Sequence, residues 1–206
     1  MMTKIKICGL SRPQDIEVIN EIKPDFIGFV FADFSHRYID KAAAKKLKDA
    51  LNPEIKAVGV FVDEDVHETA SYINENIIDM VQLHGNEDDA YISRLRDECF
   101  RPVEIIKAFN FNKTKDIKIL ENSAADYVMI DSGCGTGEVF DWSKLGNIKS
   151  PFFLAGGLGC ENVSDAINTL HPFAVDVSSG VETDKLKDPE KMNGFVKTVR
   201  EIGYEG

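Results

Sequence analysis

KAVGVFVDEDVHETASYINENIIDMVQLHG, residues 56–85, contains one complete structural unit and the start of the next. KAVGVFV (56–62) is an apolar, β-branched run, EDVHETASYINEN (64–76) is amphipathic at helical spacing, and DMVQLH (79–84) is apolar again. A strand, a helix and a second strand of like character make a β/α repeat. Near-continuous apolar strands belong to a parallel sheet covered on both faces.

Working outward, the same unit recurs along the chain. KIKIC (4–8) and FIGFVF (26–31) precede it, and EIIKAF (104–109), YVMID (127–131), FFLAGG (152–157) and AVDVSS (174–179) follow. The eight runs start about 22 to 30 residues apart, the length that a strand, a helix and two loops require. Helical stretches such as RPQDIEVINEI, KAAAKKLKDAL and DDAYISRLRDE lie between them. Pro13 suits a first helical turn, and Asp40 and Ser164 suit caps or first turns. Eight units in 206 residues predict an α/β protein, a single (β/α)₈ barrel spanning 1–206 as one catalytic domain. An open doubly wound sheet is the alternative, but no GxGxxG follows the first run.

Composition narrows the function. A net charge of −11 argues against nucleic acid, whose phosphates the average surface would repel. No apolar stretch is long enough for a membrane span, and MMTKIKICGL has no signal-peptide core, so a cytoplasmic protein is expected. Cys8, Cys99, Cys134 and Cys160 show neither CxxC pairing nor zinc spacing. Free thiols, with no metal, are the simple reading.

In a barrel, strand ends open onto one face, where chemistry is done. Six candidates sit there: Cys8, Asp63, His84, Lys107, Asp131 and Asp176. Each has a plainer role available. Cys8 could be a small hydrophobe, Asp63 a helix cap, His84 a turn residue before Gly85, and Lys107 a snorkelling side chain; the competing catalytic reading makes Lys107 the Schiff-base lysine of an aldolase-type lyase. Asp131 closes an apolar run, where a carboxylate needs a partner or a raised pKa. Strands 1 and 6 are three steps apart in an eight-stranded ring, so Cys8 and Asp131 would face each other across the mouth. That suits a proton-moving isomerisation, with Cys8 below its usual value of about 8.5 and Asp131 above about 3.9.

Two small-residue segments end strands 7 and 8, LAGGLG (154–159) and DVSSGVE (176–182). Gly156 and Gly157 allow close backbone approach, and Ser178, Ser179 and Gly180 offer donors. Loops after strands 7 and 8 are the recurrent phosphate site of this architecture. Arg37, within SHRY, has a fork that can hold a carboxylate. Gly133 to Gly137, before Phe140-Asp141-Trp142, reads as a lid.

Taken together, KICGL (6–10), GFVF (28–31) with SHRYI (35–39), VGVFV (58–62), VQLHG (81–85), Asp131 with GTG (135–137) and FDW (140–142), LAGGL (154–158) with ENV (161–163), and PFAVDVSSGVE (172–182) resemble the phosphoribosylanthranilate isomerase family. The resemblance runs through nearly the whole chain. It implies a (β/α)₈ barrel that carries out an Amadori rearrangement of a phosphosugar substrate in tryptophan biosynthesis, without cofactor or metal. It implies Cys8 as general base and Asp131 as general acid. It also implies Arg37 on the anthranilate carboxylate, and Gly156, Gly157 and Asp176 to Gly180 on the phosphate. Expected partners are the small-molecule substrate and a second copy of the chain if it is a homodimer rather than a monomer, with other tryptophan-pathway enzymes as further candidates. Asp33-Phe34, Glu138 and Gly159-Cys160 depart from the family pattern, the first two removing positive charge near an anionic substrate.

Overall fold

The computed structural model describes residues 2–110, 120–131, 148 and 150–202. Eight parallel strands form a closed barrel in chain order: β1 (Lys4–Cys8), β2 (Phe26–Val30), β3 (Lys56–Phe61), β4 (Met80–Leu83), β5 (Glu104–Asn110), β6 (Tyr127–Asp131), β7 (Phe152–Ala155) and β8 (Ala174–Val177). β8 pairs back onto β1, placing Lys6 beside Asp176. Among the described residues the outer helices are α1 (Pro13–Ile22), α2 (Lys41–Ala50), α3 (Val66–Asn74), α4 (Asp89–Glu98), α5 (Val163–Leu170) and α6 (Pro189–Ile202). Pro13 opens α1, where its missing N–H leaves no bond unmade. Asp40 caps α2 through the Ala43 N–H, and Ser164 lies in the first turn of α5. The cap of α3 is Asp65 rather than Asp63. No described helix is long and apolar enough to cross a membrane.

The two faces of each strand serve different layers, because successive side chains alternate. Outward residues such as Ile5, Ile7, Ile27, Phe29, Phe61, Ile105, Ile130 and Leu154 form the main core with the helices. Inward residues such as Phe26, Val58, Met80, Ile106, Met129 and Phe153 fill the barrel. Higher up, Cys8, Val30, Ala32 and Val60 make a small apolar patch at the mouth.

The opposite end is secured by a repeated device. Asp25, Asp79 and Asp126 each precede an even-numbered strand, and each carboxylate accepts the main-chain N–H of a residue on the preceding strand: Ile5 at 3.0 Å, Ala57 at 2.7 Å and Ile105 at 2.8 Å. Stability features at this end leave the carboxyl ends free for chemistry.

Between β8 and α6 the chain makes one 3₁₀ turn, Ser179–Val181, and then a short hairpin of β9 (Glu182–Thr183) and β10 (Leu186–Lys187). The linking residues, Asp184 and Lys185, have φ of 50° and 65°, as a two-residue turn with both centres left-handed requires. The register sets Glu182 opposite Lys187.

Candidate active site

A cavity of about 620 Å³ opens at the carboxyl ends of the strands. Of the ten residues the sequence nominates as site candidates or phosphate donors beyond Asp63 and Lys107, all but Gly180 border it: Cys8, Arg37, His84, Asp131, Gly156, Gly157, Asp176, Ser178 and Ser179. Gly180 backs onto the preceding loop, where a Cβ would sit 2.0 Å from the Leu158 carbonyl oxygen.

Asp63 and Lys107 do not reach the cavity. Lys107 follows Ile106, whose side chain faces into the barrel, so its own points to the helical layer. There it donates to Glu87 at 2.7 Å and to the Gly85 carbonyl at 2.9 Å. Glu87 also accepts the N–H groups of Asp63 and Gly85, so this buried pair fastens the loops after β3 and β4. Asp63 accepts from Asn86 instead of capping a helix. Both departures come from parity, because a near-continuous apolar run does not mark which alternate residues face inward.

Cys8 is 7% exposed. Gly28 is its register partner on β2, and a Cβ at Gly28 would lie 2.6 Å from the Cys8 sulfur, so the space for the thiol exists because residue 28 has no side chain. Two positions down the same face lies Lys6, fully buried, its ammonium 2.9 Å from Asp176. Burial works against the Lys6 charge, but Asp176 and Cys8 outweigh it and the net direction is upward. Burial pushes Asp176 up, with Lys6 pulling it back. Burial also pushes the Cys8 thiol up from its ordinary value, with Lys6 and Lys187 opposing it and Asp176 adding to it. The direction is therefore opposite to the downward shift expected from the sequence. Taking a thiolate out of water is unfavourable, and two nearby ammonium groups offset only part of that.

Asp131 ends β6 on the far side of the cavity. The His84 Nε2 lies 3.4 Å from its carboxylate, and the His84 Nδ1 is 2.8 Å from Gln82 on the same strand face. A carboxyl group, an imidazole and an amide thus run down one wall.

Arg37 stands at the rim with its Nε and Nη2 bound to Glu182 at 2.7 and 2.9 Å. Glu182 in turn accepts from Lys187 at 2.5 Å, and Lys187 reaches the Ser178 carbonyl at 3.0 Å. Ser178 donates its hydroxyl to the Cys8 carbonyl at 3.0 Å. Burial weighs against the Glu182 charge, yet Arg37 and Lys187 together hold its pKa down at about 2. Burial lowers Lys187, with Glu182 pulling the other way. Glu182 and Lys187 carry no sequence signal beyond their charge, since their partners are fixed by the fold.

Asp176 borders the cavity with its carboxylate held by Lys6 at 2.9 Å. Donors for a phosphate remain at Ser178, Ser179 and the loop with Gly156 and Gly157, whose φ values are 93° and 62°. The Gly133–Gly137 segment, with Cys134, lies outside the described residues. Among the described residues no group of three His, Cys, Asp or Glu could hold a metal ion.

Residues 5–198 match the model of the N-(5'phosphoribosyl)anthranilate (PRA) isomerase family. The chain belongs to that family. The N-(5'-phosphoribosyl)anthranilate isomerase of Clostridium acetobutylicum is 43% identical over 210 residues, covering 98% of this chain and all of that protein. Among solved structures, a phosphoribosyl anthranilate isomerase in complex with reduced 1-(o-carboxyphenylamino)-1-deoxyribulose 5-phosphate superposes with a TM-score of 0.82 at 32% identity, over 97% of this chain and 100% of the other. Monomers generated from the dimeric enzyme of Thermotoga maritima give 0.84 at 30% identity, with the same coverage. The barrel is therefore that of an isomerase family of tryptophan biosynthesis, as the sequence motifs imply.

Proposed function

We propose that this barrel converts N-(5'-phosphoribosyl)anthranilate to 1-(2-carboxyphenylamino)-1-deoxyribulose 5-phosphate as an aldose–ketose isomerase, with Cys8 as general base and Asp131 as general acid. The observation that carries the reading is that Cys8 and Asp131 border one cavity from opposite sides, between Arg37 and the loops after β7 and β8. The substrate has an anionic group at each end. Its carboxylate suits Arg37, and its phosphate suits the Ser178–Ser179 and Gly156–Gly157 loops.

Held in this way, the ribose ring lies between the two proton carriers. Asp131 gives a proton to the ring oxygen as the C1′–O bond breaks, leaving an iminium ion. Cys8 as thiolate removes the C2′ proton, and the electron pair neutralises the iminium to give an enolamine. The enolamine takes a proton at C1′ as its 2′-hydroxyl loses one, which yields the ketone. Asp131 has then lost one proton and Cys8 has gained one, and exchange with water restores both. Each transfer is worth roughly 10²–10⁴-fold. A raised thiol value makes thiolate scarce but more basic, and Lys6 supplies the counter-charge for it. The scattered thiols agree with a cytoplasmic enzyme.

The test follows the fluorescence of phosphoribosylanthranilate with purified protein. Wild type should consume it, and Cys8→Ala should lower kcat by at least about 10²-fold while keeping the fold. A near-wild-type kcat in Cys8→Ala would remove Cys8 as the base. Arg37→Ala should chiefly raise KM.

A further inference from the structure

Arg37 is paired with Glu182, and part of its guanidinium remains for a substrate carboxylate. A guanidinium has two edges that can each bind a carboxylate with parallel bonds. Glu182 occupies the Nε–Nη2 edge, at 2.7 and 2.9 Å. Among the described residues Nη1 donates to nothing, so the Nη1–Nη2 edge is still available.

The position of that edge is fixed from two sides. The aliphatic stem of Arg37 lies on Gly9, where a Cβ would meet the Arg37 Cδ at 2.4 Å. The head is fastened by Glu182, whose side chain is 8% exposed. Glu182 is itself held by the hairpin register that sets it against Lys187, with His36 at 3.8 Å on the other oxygen. The hairpin turns through two non-glycine residues in the left-handed region, Asp184 and Lys185, a conformation that is retained only where the surroundings over-determine it.

Charge completes the argument. An isolated Arg–Glu pair is neutral and would attract an anion weakly. Here two cations share one carboxylate, so Arg37, Glu182 and Lys187 keep a single net positive charge beside the cavity.

We propose that Glu182 is a positioning residue for specificity: it grips one edge of Arg37, with Lys187 neutralising it, so that the other edge is presented to the substrate's carboxylate. This rests on Arg37 as the carboxylate clamp. Glu182 acts through Arg37 and touches no reacting atom.

The experiment compares kcat/KM for phosphoribosylanthranilate with that for the N-phosphoribosyl aniline analogue, which lacks the carboxylate. In Glu182→Gln the preference for the carboxylated substrate should fall about tenfold, mainly through KM, since a small misplacement of an orienting group is felt strongly. Glu182→Asp, too short to reach Arg37 but still charged, should show the same fall and serves if the Gln variant does not fold. Arg37→Ala is measured in parallel, and combining it with Glu182→Gln should add nothing further. Equal losses on both substrates, or an unchanged preference in the Glu182 variants while Arg37→Ala loses it, would overturn the Glu182 role alone. An unchanged preference in Arg37→Ala would overturn the clamp and this role with it.

Discussion

Lys6 and Lys107 are both buried lysines on barrel strands, and each is paired with a carboxylate, at 2.9 and 2.7 Å. They do opposite work. Lys6 faces the barrel interior beneath Cys8, and its charge bears on the thiol. Lys107 faces the helical layer and, through Glu87, ties the loops after β3 and β4. The difference is one of strand parity rather than chemistry. Lys187, the third buried lysine among the described residues, sides with Lys6: it too acts on Cys8 and on the rim cluster. A buried ion pair at a strand end thus says little about function until its face is known.

The sharpest way to break this comparison is to remove each ammonium. Lys107→Met leaves Glu87 buried without its cation and should destabilise the fold by about 3–5 kcal/mol, read by urea unfolding, while kcat of the folded fraction stays near wild type. A large kcat loss at unchanged stability would place Lys107 with the chemistry after all. Lys6→Met should also destabilise, but here kcat/KM falls as well, about tenfold or more. Adding Asp176→Asn should restore stability, because no buried charge is then left unpaired, without restoring kcat/KM. Recovery of both would make Lys6 purely structural.

Two smaller effects sharpen the contrast through pH. Cys8 is faced by Lys6 from β1, Asp176 from β8, Lys187 from β10 and Arg37 from the loop after β2. Alkylation of Cys8 by iodoacetamide should titrate above the ordinary thiol value of about 8.5 in the free enzyme, because burial outweighs the cations. Lys6→Met should move the midpoint further up, and Lys107→Met should leave it in place. A wild-type midpoint below the ordinary value would reverse the balance argued for burial. The stability that Glu182 draws from Arg37 and Lys187 is present above its unfolded value of 4.5 and is lost as pH falls toward about 2. The stability gap between wild type and Glu182→Gln should close over that interval.

Much of the architecture is legible in the chain. KIKIC and YVMID coincide with β1 and β6, and the other six runs differ from their strands by one or two residues at the ends. The convergence of Cys8, Arg37, Asp131 and the two small-residue loops on one cavity follows from strand order, which a closed barrel fixes once eight units are counted. What escapes is the set of contacts that needs register as well as order. Lys6 is two residues before Cys8, so its shared face was available from alternation, but a lysine in KIKIC looks like the solvent-facing member of a strand. Arg37 and Glu182 are 145 positions apart, and nothing local in SHRY or SSGVE shows that they meet. Asp63 and Lys107 mislead for the converse reason: they sit at the right strand ends on the wrong side.

The closure of β8 onto β1 has a consequence for how the protein comes into being. The thiol at position 8 is synthesised long before Asp176, Ser178 and Lys187, which anchor the ammonium groups and main chain around it. A ribosome-bound chain that stops short of the eighth strand carries the base without its electrostatic setting. Competence for proton transfer should therefore switch on only when the eighth strand meets the first, and fragments that stop short of the eighth strand should be inert.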